Sequence, residues 1–181
     1  MNLRIILKII FFTLFQNQIF AEGNLDSLEK AQTGLEQQEQ QLQWCRQYSN
    51  ILGYEITTIN NPRLYQSIGE WLGTPYKYSG ESKKGIDCSG LVNKLYKECY
   101  DKELLGCTKD LYKNSERIKL SELQEGDLVF FKIKKKRISH VGIYLGQNRF
   151  VHSSLQNGVI VSNLEDPYYK KYFFKGGRIK K

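Results

Sequence analysis

The sequence predicts an α+β domain, papain-like in layout, with N-terminal helices packed on a C-terminal antiparallel sheet of about five strands. Three observations carry this. Between residues 60 and 100 apolar residues recur at helical spacing. After Gly126-Asp127 the period changes to short β-branched and aromatic runs separated by turn residues. Helices first and strands afterwards is the order of an α+β domain whose helices cover a sheet.

The elements follow in chain order. Residues 1–21, "MNLRIILKIIFFTLFQNQIFA", read as a signal peptide: Arg4 supplies the positive start, an apolar run extends through Phe15, and Ile19-Phe20-Ala21 offers a cleavage site. The run is short and Lys8 interrupts it, so no stable membrane span is expected once it is removed. Residues 22–59 form a Glu- and Gln-rich helical lead-in. Asp26 with Glu29 can cap its start, and Leu28, Ala31, Leu35, Leu42 and Cys45 make a thin heptad stripe broken by Gln38. The domain proper is placed at residues 60–181. Asn61-Pro62 pairs a cap residue with Pro at the first helical position, and Leu64, Ile68, Trp71 and Leu72 mark one face before Gly73 closes the run. Gly80 and Gly85 make residues 79–87 a loop. From Cys88 onward Leu91, Val92, Leu95, Tyr96 and Cys99 mark a second helical face; residues 101–120 are irregular. The strands are "LVFFKI", "HVGIYLG", "RFVHSS", "GVIVSN" and "KYFFKGGRI".

The chain is basic, with 27 Lys and Arg against 19 Asp and Glu. An anionic polymer is one partner that fits this balance, and a Lys-rich composition also simply keeps a chain soluble. No nucleic-acid motif accompanies the charge, so nucleic acid is not an expected partner. No CxxC or CxxH spacing suggests zinc, and neither a metal nor another cofactor is expected. The four cysteines are Cys45, Cys88, Cys99 and Cys107. If Cys88 stays free, at most one bridge can form among the other three.

Cys88 itself lies between Gly-Ile-Asp and Ser-Gly, at the predicted start of a helix. A thiol there could be a buried hydrophobe, a disulfide half, a metal ligand or a nucleophile. In a first helical turn, unpaired N–H groups and the helix dipole favour the thiolate, which predicts a lowered pKa. Only two histidines occur, His140 and His152, and both flank one predicted hairpin. One can serve as base beside the sulfur and the other can orient it. A shared catalytic role requires both rings on one sheet face. A plain two-residue turn at Gln147-Asn148 would put them on opposite faces, so the hairpin is predicted to hold an odd-length loop or a bulge.

The blocks "GTPYKYSG…GIDCSGLV", "LQEGDLVFF" and "SHVGIYLGQNRFVHSS" together resemble the NlpC-type family of bacterial cell-wall cysteine peptidases, over roughly residues 60–178. The resemblance implies a papain-like hydrolase of peptidoglycan stem peptides or cross-links, exported to the periplasm or beyond, with peptidoglycan as its partner. It implies Cys88 as nucleophile, His140 as base and His152 as orienting residue. Tyr76 matches the family's active-site tyrosine, and Asp87 and Ser89 support the substrate cleft. It points to the bond between D-glutamyl and the following diamino acid. Two departures stand out: Ser79 occupies a position where the family often has Gly, and the Lys-rich "KIKKKR" precedes Ser139-His140. A non-catalytic peptidoglycan-binding module and an amidase or acyltransferase on the same scaffold remain open alternatives.

Overall fold

The computed structural model describes the backbone of residues 3–133 and 137–180, and side chains from residue 28 onward. The side chains of the leader expected at residues 1–21, and Lys134–Lys136 within the basic run, lie outside the described residues. The chain divides into two compact units, Met1–Cys45 and Arg46–Lys181.

Helix α1 (Leu3–Leu52) runs through the described residues of the first unit, where Leu28, Leu35 and Leu42 are exposed. Its last turns belong to the second unit. There the Tyr48 ring lies 5.7 Å from that of Tyr65, and the Ile56 N–H donates to Ser49 Oγ at 2.8 Å. Among the described residues no helix is long and apolar enough to cross a membrane.

Helix α2 (Pro62–Trp71) starts as its sequence dictates: Asn61 caps it by accepting from the Leu64 N–H, and Pro62 takes the first turn, where no N–H is needed. Leu64, Tyr65, Ile68 and Trp71 form its buried face. The loop of residues 79–87 contains a minimal hairpin of β1 (Glu81–Ser82) and β2 (Gly85–Ile86). Helix α3 (Cys88–Tyr100) buries Leu91, Val92, Leu95, Tyr96 and Cys99, the stripe that its periodicity predicts. The stretch from 101 to 120 holds α4 (Thr108–Lys113) and β3 (Glu116–Ile118). Both are too short for periodicity to reveal them.

Strands β4 (Leu128–Phe131), β5 (His140–Gly146), β6 (Arg149–Ser154) and β7 (Gly158–Asn163) are followed by the short helix α5 (Pro167–Tyr172) and by β8 (Phe173–Arg178). They form a six-stranded sheet ordered β3-β8-β4-β5-β6-β7, every neighbouring pair antiparallel. The sixth strand is β3, and β8 returns across the sheet to lie between β3 and β4. One face carries Leu128, Phe130, Val141, Ile143 and Val151, all fully buried. Helix α3 lies along β5 and β6, and Tyr112 of α4 meets Phe130 edge-on at 5.1 Å, which identifies the covering layer of this face. The other face carries Val129, Phe131, Tyr144 and Phe150, closed over by Leu164 and by Tyr169, Tyr172 and Phe173. Asp127, almost wholly buried, receives two bonds from Arg178 at 2.7 and 2.8 Å and so ties the start of β4 to the end of β8.

Candidate active site

Cys88 is the first residue of α3. Asp87 caps the helix: its Oδ1 accepts from the Gly90 N–H at 2.7 Å and from the Ser89 hydroxyl at 3.0 Å, and its Oδ2 accepts from the Ser79 N–H at 2.9 Å. One carboxylate thus holds both the helix start and the preceding loop. Ser79 has φ 53°, a left-handed conformation in which glycine is unstrained, and its N–H bond to Asp87 compensates. Gly90 lets the helix approach the loop, since a Cβ there would stand 2.7 Å from the Gly80 carbonyl oxygen.

The Cys88 sulfur is buried and faces the Thr108 hydroxyl at 3.6 Å, together with the backbone N–H groups of Val141 and Ser89. The Val141 contact explains how a residue on α3 meets the strand half. The β5–β6 ladder registers from Gly146↔Arg149 through Ile143↔Val151 and, among the described residues, goes no further toward His140. The strands part beyond that pair, and the sulfur takes the Val141 N–H. Cys88 therefore abuts the residue that follows His140.

The hairpin resolves as a bulge. Gln147 and Asn148 do form a tight two-residue turn, both with positive φ (49° and 57°), but the register shifts between Tyr144 and Gly146. The extra residue in β5 puts Ile143 opposite Val151, Gly142 beside His152, and His140 on the same face as His152. Their rings meet edge to face, centroids 4.9 Å apart, with His140 Nε2 2.8 Å from His152 Nδ1. Beyond His152, its Nε2 lies 3.0 Å from Ser162 Oγ and 3.2 Å from the Tyr169 hydroxyl. The His152 ring stacks on Phe150 at 4.8 Å and is almost completely buried.

Burial sets the charge states. It lowers the His140 pKa to about 4 and that of His152 well below the ordinary imidazole value, the neighbouring ring adding to the second effect. Burial also pushes the Cys88 thiol up. Hydrogen bonds from Thr108, Val141 and Ser89 pull the other way, and the Asp87 charge adds to the rise. The expectation of a lowered Cys88 pKa is thus corrected: the first-turn N–H is present, but desolvation of the buried sulfur outweighs it. The resting pair is a neutral thiol and neutral imidazoles.

Tyr76 is half-buried and bridges to Ile86. Its phenol is raised first by burial, then by the field of ionised Cys88 and Asp87. Cys88, Tyr76, Asp87 and Ser89 therefore share the α3 start, while His140 and His152 sit across from it on the sheet. A cleft of about 580 Å³ opens on the histidine side, lined by His140, His152, Ser154–Asn157 and Asp166–Tyr169. The α3-start residues do not line it. All four cysteines are free thiols, Cys107 alone exposed. Thr108, Ser162 and Tyr169 have no counterpart in the sequence reading. Thr108 and Tyr169 fall on six-residue helices; Ser162 could have been found as the inward-facing hydroxyl of a strand, given the register.

The NlpC/P60 family model matches residues 73–178. The murein DD-endopeptidase MepS/murein LD-carboxypeptidase of Escherichia coli strain K12 is 38% identical over 117 residues, 65% of this chain and 62% of that protein. The chain thus spans under two thirds of that relative's length. The probable endopeptidase NlpC of the same organism is 39% identical over 129 residues, 71% of this chain and 82% of that one. The crystal structure of an NlpC/P60 family protein from Bacillus cereus superposes with TM-score 0.61 at 28% identity, covering 69% of this chain and 42% of that one. With the family model over most of the second unit, relatives above 30% identity and a matching fold, the chain belongs to the NlpC/P60 family.

Proposed function

We propose that this protein is an exported cysteine endopeptidase acting on peptides of peptidoglycan, with Cys88 as nucleophile, His140 as base and His152 as orienting residue. The observation that carries it is the 2.8 Å contact between His140 Nε2 and His152 Nδ1, in a site where the Cys88 sulfur abuts the next residue, Val141. With Nε2 engaged, Nδ1 is the His140 nitrogen left to meet the thiol. The names of the E. coli relatives, a murein endopeptidase and a probable endopeptidase, support the substrate class. The leader expected at residues 1–21 and the 60–181 domain boundary are part of the same reading.

The steps follow from the charge states. Because thiol and imidazole are both neutral at rest, His140 takes the proton as the sulfur attacks the scissile carbonyl. A C–S bond forms, and the Cys88 backbone N–H, in the first turn of α3, can donate to the oxyanion. Collapse breaks the C–N bond while His140 returns the proton to the leaving amine. Water, deprotonated by His140, then hydrolyses the thioester and restores the thiol. Tyr76 and Ser89 are assigned to the substrate cleft next to Cys88, and Asp87 holds the helix start that presents the thiol. The bond between D-glutamyl and the diamino acid is the specific target proposed.

Digestion of purified muropeptides with mass analysis of the products tests this. Cys88→Ala and His140→Ala are expected to abolish release of new amino groups with the fold intact, and His152→Ala to leave residual turnover. Full turnover by Cys88→Ala defeats the proposal. Muropeptide binding without any turnover by the wild type supports a binding module instead.

A further inference from the structure

We propose that Ser162 and Tyr169 are positioning residues: they hold His152 in the tautomer that carries its proton on Nε2, and through it keep His140 Nδ1 bare to receive the thiol proton. The proposal rests on the cysteine-peptidase reading and adds to it two residues that nothing in the motif blocks marks.

A neutral imidazole has one N–H and one lone pair, so each ring in a chain passes its orientation to the next. His140 Nε2 and His152 Nδ1 are 2.8 Å apart, and one of them must donate. If His152 Nε2 accepts a proton from a hydroxyl, then its Nδ1 donates to His140 Nε2, and His140 is left with its proton on Nδ1. In that state it cannot act as base. If His152 Nε2 donates, the chain reverses: His152 Nδ1 accepts from His140 Nε2, and His140 Nδ1 carries a lone pair.

The groups around His152 Nε2 decide between the two. Ser162 Oγ is 3.0 Å away and the Tyr169 hydroxyl 3.2 Å away, and the serine and tyrosine hydroxyls also bond to each other. The polarity that leaves His140 Nδ1 bare has Ser162 donating to the Tyr169 oxygen. The serine lone pairs are then free to accept from His152 Nε2. Tyr169 lines the cleft, so its own proton can point to solvent there. The circuit is complete and every proton has one acceptor: His140 Nε2 to His152 Nδ1, His152 Nε2 to Ser162, Ser162 to Tyr169, Tyr169 to the cleft. The register explains why Ser162 reaches: Ser162 pairs with Phe150 and Ile160 with His152, so Ser162 is the diagonal neighbour of His152 on the same face. The same polarity suits the imidazolium that forms on His140, because each dipole in the chain already points its negative end toward it.

The test is nitrogen-15 NMR of the imidazoles, with muropeptide kinetics alongside. In the wild type at neutral pH both histidines are expected as the Nε2-protonated tautomer. In Ser162→Ala the hydroxyl that accepts from His152 Nε2 is removed, and the Tyr169 hydroxyl, now the partner left at that nitrogen, can turn its proton from the cleft onto it. His152 then moves to the Nδ1-protonated form, and kcat falls about tenfold or more with KM within about twofold. Ser162→Thr, which keeps the hydroxyl, restores both. Tyr169→Phe removes the acceptor for the serine proton and is expected to shift the tautomer the same way. A wild-type His152 protonated on Nδ1, or a Ser162→Ala variant with unchanged imidazole signals and kcat, overturns the proposal. Turnover that needs Cys88 but not Ser162 or Tyr169 sinks the relay and leaves the peptidase standing. If the wild type turns over no muropeptide, the peptidase reading falls, and the tautomer of His152 still decides the relay.

Discussion

Gly142→Ala should damage stability and catalysis together, because the two histidine-bearing strands leave no room for a side chain there. A Cβ at that position would stand 2.7 Å from the Val151 carbonyl oxygen, 2.8 Å from Phe150 Cδ2 and 3.2 Å from His152 Cβ. Ordinary contacts require roughly 0.6–0.7 Å more at the first two. Val151 O is backbone and cannot rotate away. Phe150 is held between the rings of His152, at 4.8 Å, and Phe131, at 5.1 Å. The strain must therefore push β5 from β6 or tilt Phe150 into His152. Overpacking of this kind costs about 1–3 kcal/mol, which for a domain of this size lowers Tm by roughly 5 °C. A tilt of His152 lengthens the 2.8 Å bond to His140, and misplacement by a fraction of an ångström is expected to lower kcat about tenfold, with KM little changed. Urea unfolding and muropeptide hydrolysis measure the two effects. Gly69→Ala is the control: its Cβ would meet nothing closer than Ile51 at 3.8 Å, and within the last turn of α2 it should stabilise by about 0.5–1 kcal/mol. A Gly142→Ala protein with wild-type Tm and kcat refutes the close-packing argument.

Stability should fall as pH drops from about 6.5 toward 4. Partly buried His140 and almost wholly buried His152 both have folded pKa values below their unfolded ones, so the unfolded chain binds protons that the native state refuses. Above the unfolded value nothing is lost; below it the slope can reach about 2.7 kcal/mol per pH unit for two sites. Urea midpoints at pH 7, 6 and 5 measure it, and His152→Gln should flatten the curve; an unchanged curve in that variant argues against buried neutral histidines. Arg178→Ala strips the buried Asp127 carboxylate of its two-pronged partner and should cost about 3 kcal/mol in urea unfolding, an effect that Arg178→Lys recovers only in part. Alkylation of Cys88 should still be accelerating at pH values where an ordinary thiol has levelled off, since burial raises it. A Cys88 rate that levels off below pH 8 would contradict the neutral resting pair. Turnover should survive a chelator, because among the described residues no cluster of three or more His, Cys, Asp or Glu could hold a metal; inhibition reversed by added zinc would contradict the mechanism.

Local chemistry was enough to place the parts. Asn61-Pro62 announces α2 because a capping side chain and a missing N–H suit a helix start wherever it occurs. Asp87 with Cys88 announces α3 for the same reason, and the buried stripe from Leu91 to Cys99 follows from a period of 3.6. The hairpin bulge was legible too, as a consequence of requiring both histidines on one face. Short elements were not legible: β3, α4 and α5 have three or six residues, fewer than a period needs, and their neighbours decide them. Three further features arise only in the folded chain. The parting of β5 from β6 turns the Val141 N–H toward the Cys88 sulfur. The Thr108 hydroxyl that partly offsets the burial of the thiol is brought in from a separate helix. The hydroxyl pair at His152 Nε2 joins β7 to α5 across residues that share no local pattern. Sequence determines which groups are present and which local structure carries them. Their protonation and aim depend on desolvation and on contacts between distant segments, and these exist only once the sheet has closed against its helices.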